Sequence, residues 1–262
     1  MLGFGPLGVG LLLVVVFVVA IAIGVGGVVL GLRMIPRPVS SNHNSTLSPF
    51  LTCVSLVYGA LLGFTIVVAW EQFSSADANV AAEASTVTTM YRQTVGMPPQ
   101  QQAKMRELVR KYTNAVEGRE WDTQDTEGPS NTARGAVTEM YRIMGNQPAD
   151  VASNPVSGEF VGQLTVLTSQ RNQRILDAEP RIPGLLWAGL LFGGVLLVGI
   201  SGFLYLESTR GHLILSCAVA VLLGLLLCTI FWLDHPFGSL KGVTSAPFEH
   251  ALVVFDAVDR GT

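Results

Sequence analysis

SPFLTCVSLVYGALLGFTIVVAWEQ, Ser48 to Gln72, is the stretch on which the fold turns. From Thr52 to Trp70 it carries neither charge nor proline. That length meets the roughly 20 residues a helix needs to cross a hydrocarbon core of about 30 Å. Ser55, Gly59 and Gly63 recur every fourth residue, a stripe of small side chains on which another helix backbone or a lumen can lie. With Ile66 and Trp70 they are the candidate pore-lining or helix-packing residues. Trp70 and Glu71 mark the interface, the indole at headgroup level and the carboxylate in water.

Outward from this segment, three more apolar runs are long enough to span: Leu7 to Leu32, Pro183 to Tyr205, and Leu213 to Leu233. The first lacks a basic n-region and is too long for a cleaved signal peptide, so it is expected to stay in the membrane. Gly27 and Gly31 make its C-terminal half a contact expected for the second span, and Pro38 to Pro49 reads as the loop between them. Gly189 and Gly193 in the third run, and Ser216, Ala220, Gly224 and Cys228 in the fourth, repeat the close-contact spacing. Of the 262 residues, 49% are hydrophobic and 13% charged, against roughly 25% charged in a soluble domain. The mean hydropathy is +0.46. A net charge of −3 gives no footing for nucleic acid.

Beyond Gln72 the composition changes but the helical period does not. Phe73, Val80, Ala84, Val87 and Tyr91 stay on one face, and Gly96-Met97-Pro98-Pro99 stops the helix. Pro99 to Glu117 reads as an amphipathic helix, with Met105, Leu108, Val109, Tyr112 and Val116 inward. Lys104, Arg106, Glu107, Arg110 and Lys111 form its solvated face. Glu117 to Pro129 is acidic and aperiodic, an expected exposed loop. Its Glu120, Asp122, Asp125 and Glu127 lack the central glycine and distal glutamate of a calcium loop, so no metal is expected there. Asn131 to Met144 and Val156 to Asp177 complete four helices, the last with Phe160, Leu164, Leu167, Arg171 and Ile175 on roughly one side.

The expected protein is all-α and polytopic, with an extramembrane helical bundle inserted between the second and third spans. Residues 1–70 hold spans one and two, 71–180 the bundle, 181–234 a hairpin of spans three and four, and 235–262 a turn and short amphipathic helix. Nothing catalytic emerges: His43, His212, His235 and His250 are scattered, and Gly24 to Gly27 sits in a membrane helix rather than after a strand. No enzyme activity and no cofactor are expected. Asp234 beside His235 is expected to anchor the interface rather than to relay protons. No ionisable residue falls mid-span, which argues against a proton-coupled pump. Arg33, Arg37 and Arg210 in the short loops outweigh Arg181 and Lys241 opposite, placing the bundle on the extracytoplasmic side by the positive-inside rule.

YGALLGFTIVVAWEQF at Tyr58 to Phe73, and LDHPFGSLKGVTSAPFEHAL at Leu233 to Leu252, resemble the bacterial bestrophin-like family of unknown function across nearly the whole chain. The specific parts are the Trp70-Glu71-Gln72-Phe73 junction, the Asp234, Pro236, Phe237 turn, and the tail with Pro247, Phe248 and Glu249. The resemblance implies a multi-pass protein of the bacterial inner membrane, distantly similar to bestrophins, which are four-span anion channels that assemble as pentamers. Lipid, further copies of the chain and an inorganic anion are the partners it implies. Two readings stay open. One is an oligomeric ion channel with the second helix lining the pore, and the other is a membrane sensor or scaffold whose bundle binds a partner protein.

Overall fold

A computed structural model describes residues 6–35, 42–121, 128–148, 154–237 and 242–261. Its helices are α1 (Pro6–Met34), α2 (His43–Gln93), α3 (Pro99–Ala115), α4 (Asn131–Gly145), α5 (Pro155–Asp177), α6 (Gly184–Ser201), α7 (Thr209–Leu233) and α8 (Ala246–Arg260). No strand occurs among the described residues. Four helices, α1, α2, α6 and α7, are long and apolar enough to cross a membrane. The chain is an all-helical, multi-pass membrane protein, and it divides into two compact units.

One unit holds Leu2–Glu71 and Arg181–Asp234. In it α1 packs closely against α7 and α6. The glycines explain how. A Cβ on Gly31 would overlap the Gly202 carbonyl, one on Gly202 would overlap the carbonyl of Gly27, and one on Gly27 would come within 3.2 Å of the Val198 oxygen. The Gly27 and Gly31 stripe therefore serves the C-terminal end of α6, not the second span as expected. Helix spacing marks a face but carries no information on which neighbour fills it. Ser216 and Ala220 of α7 are buried, and Gly224 meets Val16 and Ala20 of α1. Outward-facing side chains of this unit stay large and apolar, Phe192, Leu185 and Ile214 among them, as a lipid-facing or subunit-facing surface requires.

α2 begins at His43, six residues before Pro49, so the expected loop is shorter than its composition suggests. Its residues 38–41 lie outside the described residues. The early start has partners. His43 Nε2 lies 2.9 Å from the Phe203 carbonyl, and Asn44 both donates to the Tyr205 oxygen at 2.6 Å and accepts from the Tyr205 amide at 2.9 Å. Pro49 stands in the second turn, where it leaves the Ser45 carbonyl without its i→i−4 donor. Altogether α2 runs 51 residues, about 75 Å at 1.5 Å per residue.

The other unit comprises Gln72–Pro180 and the chain from His235 onward. Its core draws Val80, Val87 and Tyr91 from α2, Met105, Val109 and Tyr112 from α3, Met140 from α4, and Phe160, Leu164 and Leu167 from α5. Phe248, Ala251 and Phe255 of α8 belong to the same core, so the C-terminal helix is a fifth member of the bundle. Ser130 caps α4 by accepting from the Thr132 amide, and Asn154 caps α5 by accepting from Val156.

Candidate functional site

Within the membrane-type unit, α2 turns two unlike faces outward and inward. Tyr58, Leu62, Thr65 and Ala69 are buried, at spacings of four, three and four that define one stripe. Gly59 and Gly63 lie about 100° and 140° around the helix from Tyr58. Both are exposed, and a Cβ built on either meets nothing within 4 Å. Trp70 shares that side and is 59% exposed. Ser55 and Ile66 are half-buried, at the edge between the faces. Glu71 is exposed, and Phe73 packs against the bundle core.

The surface around Gly59 and Gly63 carries no charge, and α2 satisfies its own hydroxyls. Thr52 donates to Ser48, Ser55 to Leu51 and Thr65 to Leu61, each four residues back. In a membrane such back-bonding removes the polar groups that would otherwise seek a neighbouring helix.

The tail residues have structural partners in their own units. Asp234 is 3% exposed, and its Oδ1 accepts from the Arg181 and Ile182 amides at 3.0 Å each. Its Oδ2 accepts from Trp187 Nε1 at 3.4 Å. The carboxylate thus sits where the chain enters α6, with the negative charge at a helix N-terminus. This is anchoring. The Pro236 carbonyl accepts from the Val243 amide at 2.8 Å, closing a turn. Phe237 and Phe248 both set edges against Trp121, at centroid distances of 5.6 and 6.1 Å. Pro247 stands in the first turn of α8, and Glu249 in that turn is exposed.

Two charged clusters in the bundle join residues whose pairing is not given by spacing. Glu120, expected in an exposed loop, is fully buried at the end of a π-helical turn, Val116–Glu120. Its Oε1 accepts from Arg171 Nη1 and Arg174 Nη2 at 2.7 Å, and its Oε2 from the Ser130 amide at 2.8 Å. Arg174 also reaches Glu83 on α2 with its Nε at 2.8 Å, and Tyr112 donates to the same carboxylate. Burial alone would drive the Arg174 guanidinium toward neutrality, but the charge and hydrogen bond of Glu83, together with Tyr112 and the Glu120 charge, outweigh it and hold the pKa above the usual value. Burial, reinforced by the Glu83 charge, pushes the Tyr112 phenol well up, so Tyr112 stays a donor. Sequence held a signal for this: Arg171 and Glu83 both occupy core-facing positions, where a charge requires a partner. Asp122, Asp125 and Glu127, the remaining acidic residues considered for calcium, lie outside the described residues. Among the described residues no group of three or more His, Cys, Asp or Glu could hold a metal ion.

Arg106 and Arg110, expected on a solvated face, instead clamp α8. Arg106 Nη1 meets Asp259 at 2.8 Å, and Arg110 meets Asp256 at 2.8 Å and Asp259 at 3.0 Å. Tyr91 donates to Asp259 at 2.7 Å and stacks on Phe255 with ring centroids 4.0 Å apart. Burial pushes the Asp259 carboxyl up, but the hydrogen bonds from Tyr91 and Arg110 and the two guanidinium charges hold it below its ordinary value.

A family model described as Bestrophin-like domain matches residues 18–248. Solved structures of a bacterial bestrophin homologue from Klebsiella pneumoniae share the fold. One single-substitution variant aligns with a TM-score of 0.68 at 12% identity, covering 93% of this chain and 98% of that one. A second variant gives 0.68 at 12%, covering 94% and 98%. The form phased on zinc gives 0.66 at 12%, covering 92% and 96%. No curated protein matches.

Proposed function

The chain belongs to the Bestrophin-like family, and from that premise we propose that it is an oligomeric ion channel, conducting inorganic anions, in which α2 lines the pore. The observation that carries this reading is the open face of α2. A Cβ at Gly59 or Gly63 would meet nothing within 4 Å among the described residues of the subunit, whereas Gly27, Gly31 and Gly202 are consumed by close packing. An uncharged face that carries two open glycines on a spanning helix has two uses, contact with another copy and the wall of a conduit. A ring of copies provides both. Ser55 and Ile66 border that wall and Trp70 ends it near the interface, and an uncharged constriction of this kind gates by dewetting. The protein acts as a conduit rather than as an enzyme, with lipid and its own copies as partners.

The test is flux. Purified protein reconstituted in liposomes is expected to pass chloride above protein-free vesicles. A rate equal to that of empty vesicles across a range of pH would remove the reading's content.

The bundle is assigned to the extracytoplasmic side of the inner membrane from the excess of Arg33, Arg37 and Arg210 in the short loops. Asn131→Cys, at the exposed start of α4, is expected to react with a membrane-impermeant maleimide in intact cells, above the background of the three native cysteines. Labelling only after permeabilisation would reverse the orientation and leave the flux question untouched.

A further inference from the structure

A spanning helix that is apolar all round has no hydrophobic reason to present one face rather than another, because lipid tails and apolar neighbours solvate it equally. The rotation of α2 must come from specific contacts. Its own hydroxyls do not supply them, since Thr52, Ser55 and Thr65 bond back along the helix. The ties of His43 and Asn44 hold only its first turn, and Val80, Glu83, Val87 and Tyr91 hold it only beyond the span, in the bundle.

Tyr58 is different. It is 5% exposed, and its hydroxyl crosses to α6 to donate to the Leu190 carbonyl at 2.9 Å. The ring lies on two consecutive glycines. A Cβ on Gly193 would stand 2.7 Å from Tyr58 Cδ2, and one on Gly194 2.9 Å from the hydroxyl. Only a helix surface without side chains at both positions can admit the ring this closely. Gly189, one turn earlier on α6, has open space where its Cβ would be.

We infer that Tyr58 is a positioning residue whose seat on Gly193 and Gly194 fixes the rotation of α2, and so selects Gly59 and Gly63 as the residues presented to the conduit. The inference rests on the pore reading of that face. An aromatic ring keyed into a glycine socket resists roll in a way that aliphatic contacts do not. The hydroxyl, having crossed to a backbone carbonyl of α6, adds direction to that fit.

The test is a nitroxide scan from Gly59 to Ala69 in liposomes, in a background with Cys53, Cys217 and Cys228 replaced by alanine, read for side-chain mobility, with chloride flux measured on the same samples. In the parent, mobility is expected to reach its minima at Leu62, Thr65 and Ala69. Tyr58→Leu removes the key and Gly193→Val fills the socket. Each is expected to erase that periodicity or shift it by one residue, about 100° of rotation. Gly189→Val is expected to keep the parent's phase. Minima unchanged in both socket variants would overturn the inference, even if flux were altered. Absent flux in every sample, with a phase that follows the socket, would overturn only the pore reading.

Discussion

Arg174→Met is expected to lower the apparent unfolding temperature of the detergent-solubilised protein by about 10 °C, read by circular dichroism. Removing one member of a fully buried ion pair costs about 3–5 kcal/mol, because the partner is left charged in a medium that solvates it poorly. Here two carboxylates lose a donor at once: Arg174 serves Glu83 with its Nε and Glu120 with its Nη2. Glu120 keeps Arg171 and the Ser130 amide, while Glu83 keeps only Tyr112 of the contacts described above. The loss should therefore concentrate on Glu83. Glu83→Met combined with Arg174→Met is expected to recover part of the loss, since replacing both buried charges by apolar groups of similar volume is often near neutral. A single variant melting within about 2 °C of the parent would mean that water or a rearranged side chain already compensates the charge.

This cluster also marks where sequence reading stops. The four spans are visible because about 20 apolar residues in a row have few other uses, and the bundle helices because their apolar residues recur with helical period. Pairing is another matter. Gly27 and Gly31 announce a close contact, but the carbonyl of Gly202 that fills it lies far along the chain. Glu120 sits in a run whose composition suggests solvent. What buries it is a π-helical turn, with Gly118 in a non-helical conformation, that carries the carboxylate to Arg171 and Arg174. No periodicity encodes such a turn. Arg106 and Arg110 look like any charged helix face until α8 brings Asp256 and Asp259 against them. In each case the missing information is the identity of a distant neighbour. The same gap hides the seat of Tyr58, because the glycines of α6 that receive its ring lie far along the chain.

Glycine offers the sharpest contrast, because one substitution is expected to act oppositely at two positions. Gly202→Val puts a side chain where the backbone of Gly27 and Val28 already lies, with the Val28 nitrogen 2.8 Å from the new Cβ. Backbone cannot rotate aside as a side chain can, so α1 and α6 must separate along a seam that α1 also depends on at Gly31. Overpacking that a side chain can relieve costs about 1–3 kcal/mol, and a collision with backbone costs more. Gly202→Val should therefore fail to accumulate as a monodisperse membrane protein in size-exclusion chromatography. A Cβ at Gly63 meets nothing within 4 Å among the described residues of its own subunit, so a Gly63→Val subunit should fold with the parent's yield. If α2 lines a conduit, three extra methyl-sized groups per subunit at Gly63 narrow an uncharged wall. Chloride flux is then expected to fall on the order of tenfold or more. The two variants together separate packing from conduction. Were Gly63→Val to fold and conduct at the parent's rate, the open face of α2 would belong to lipid, and the pore would have to be sought on another helix.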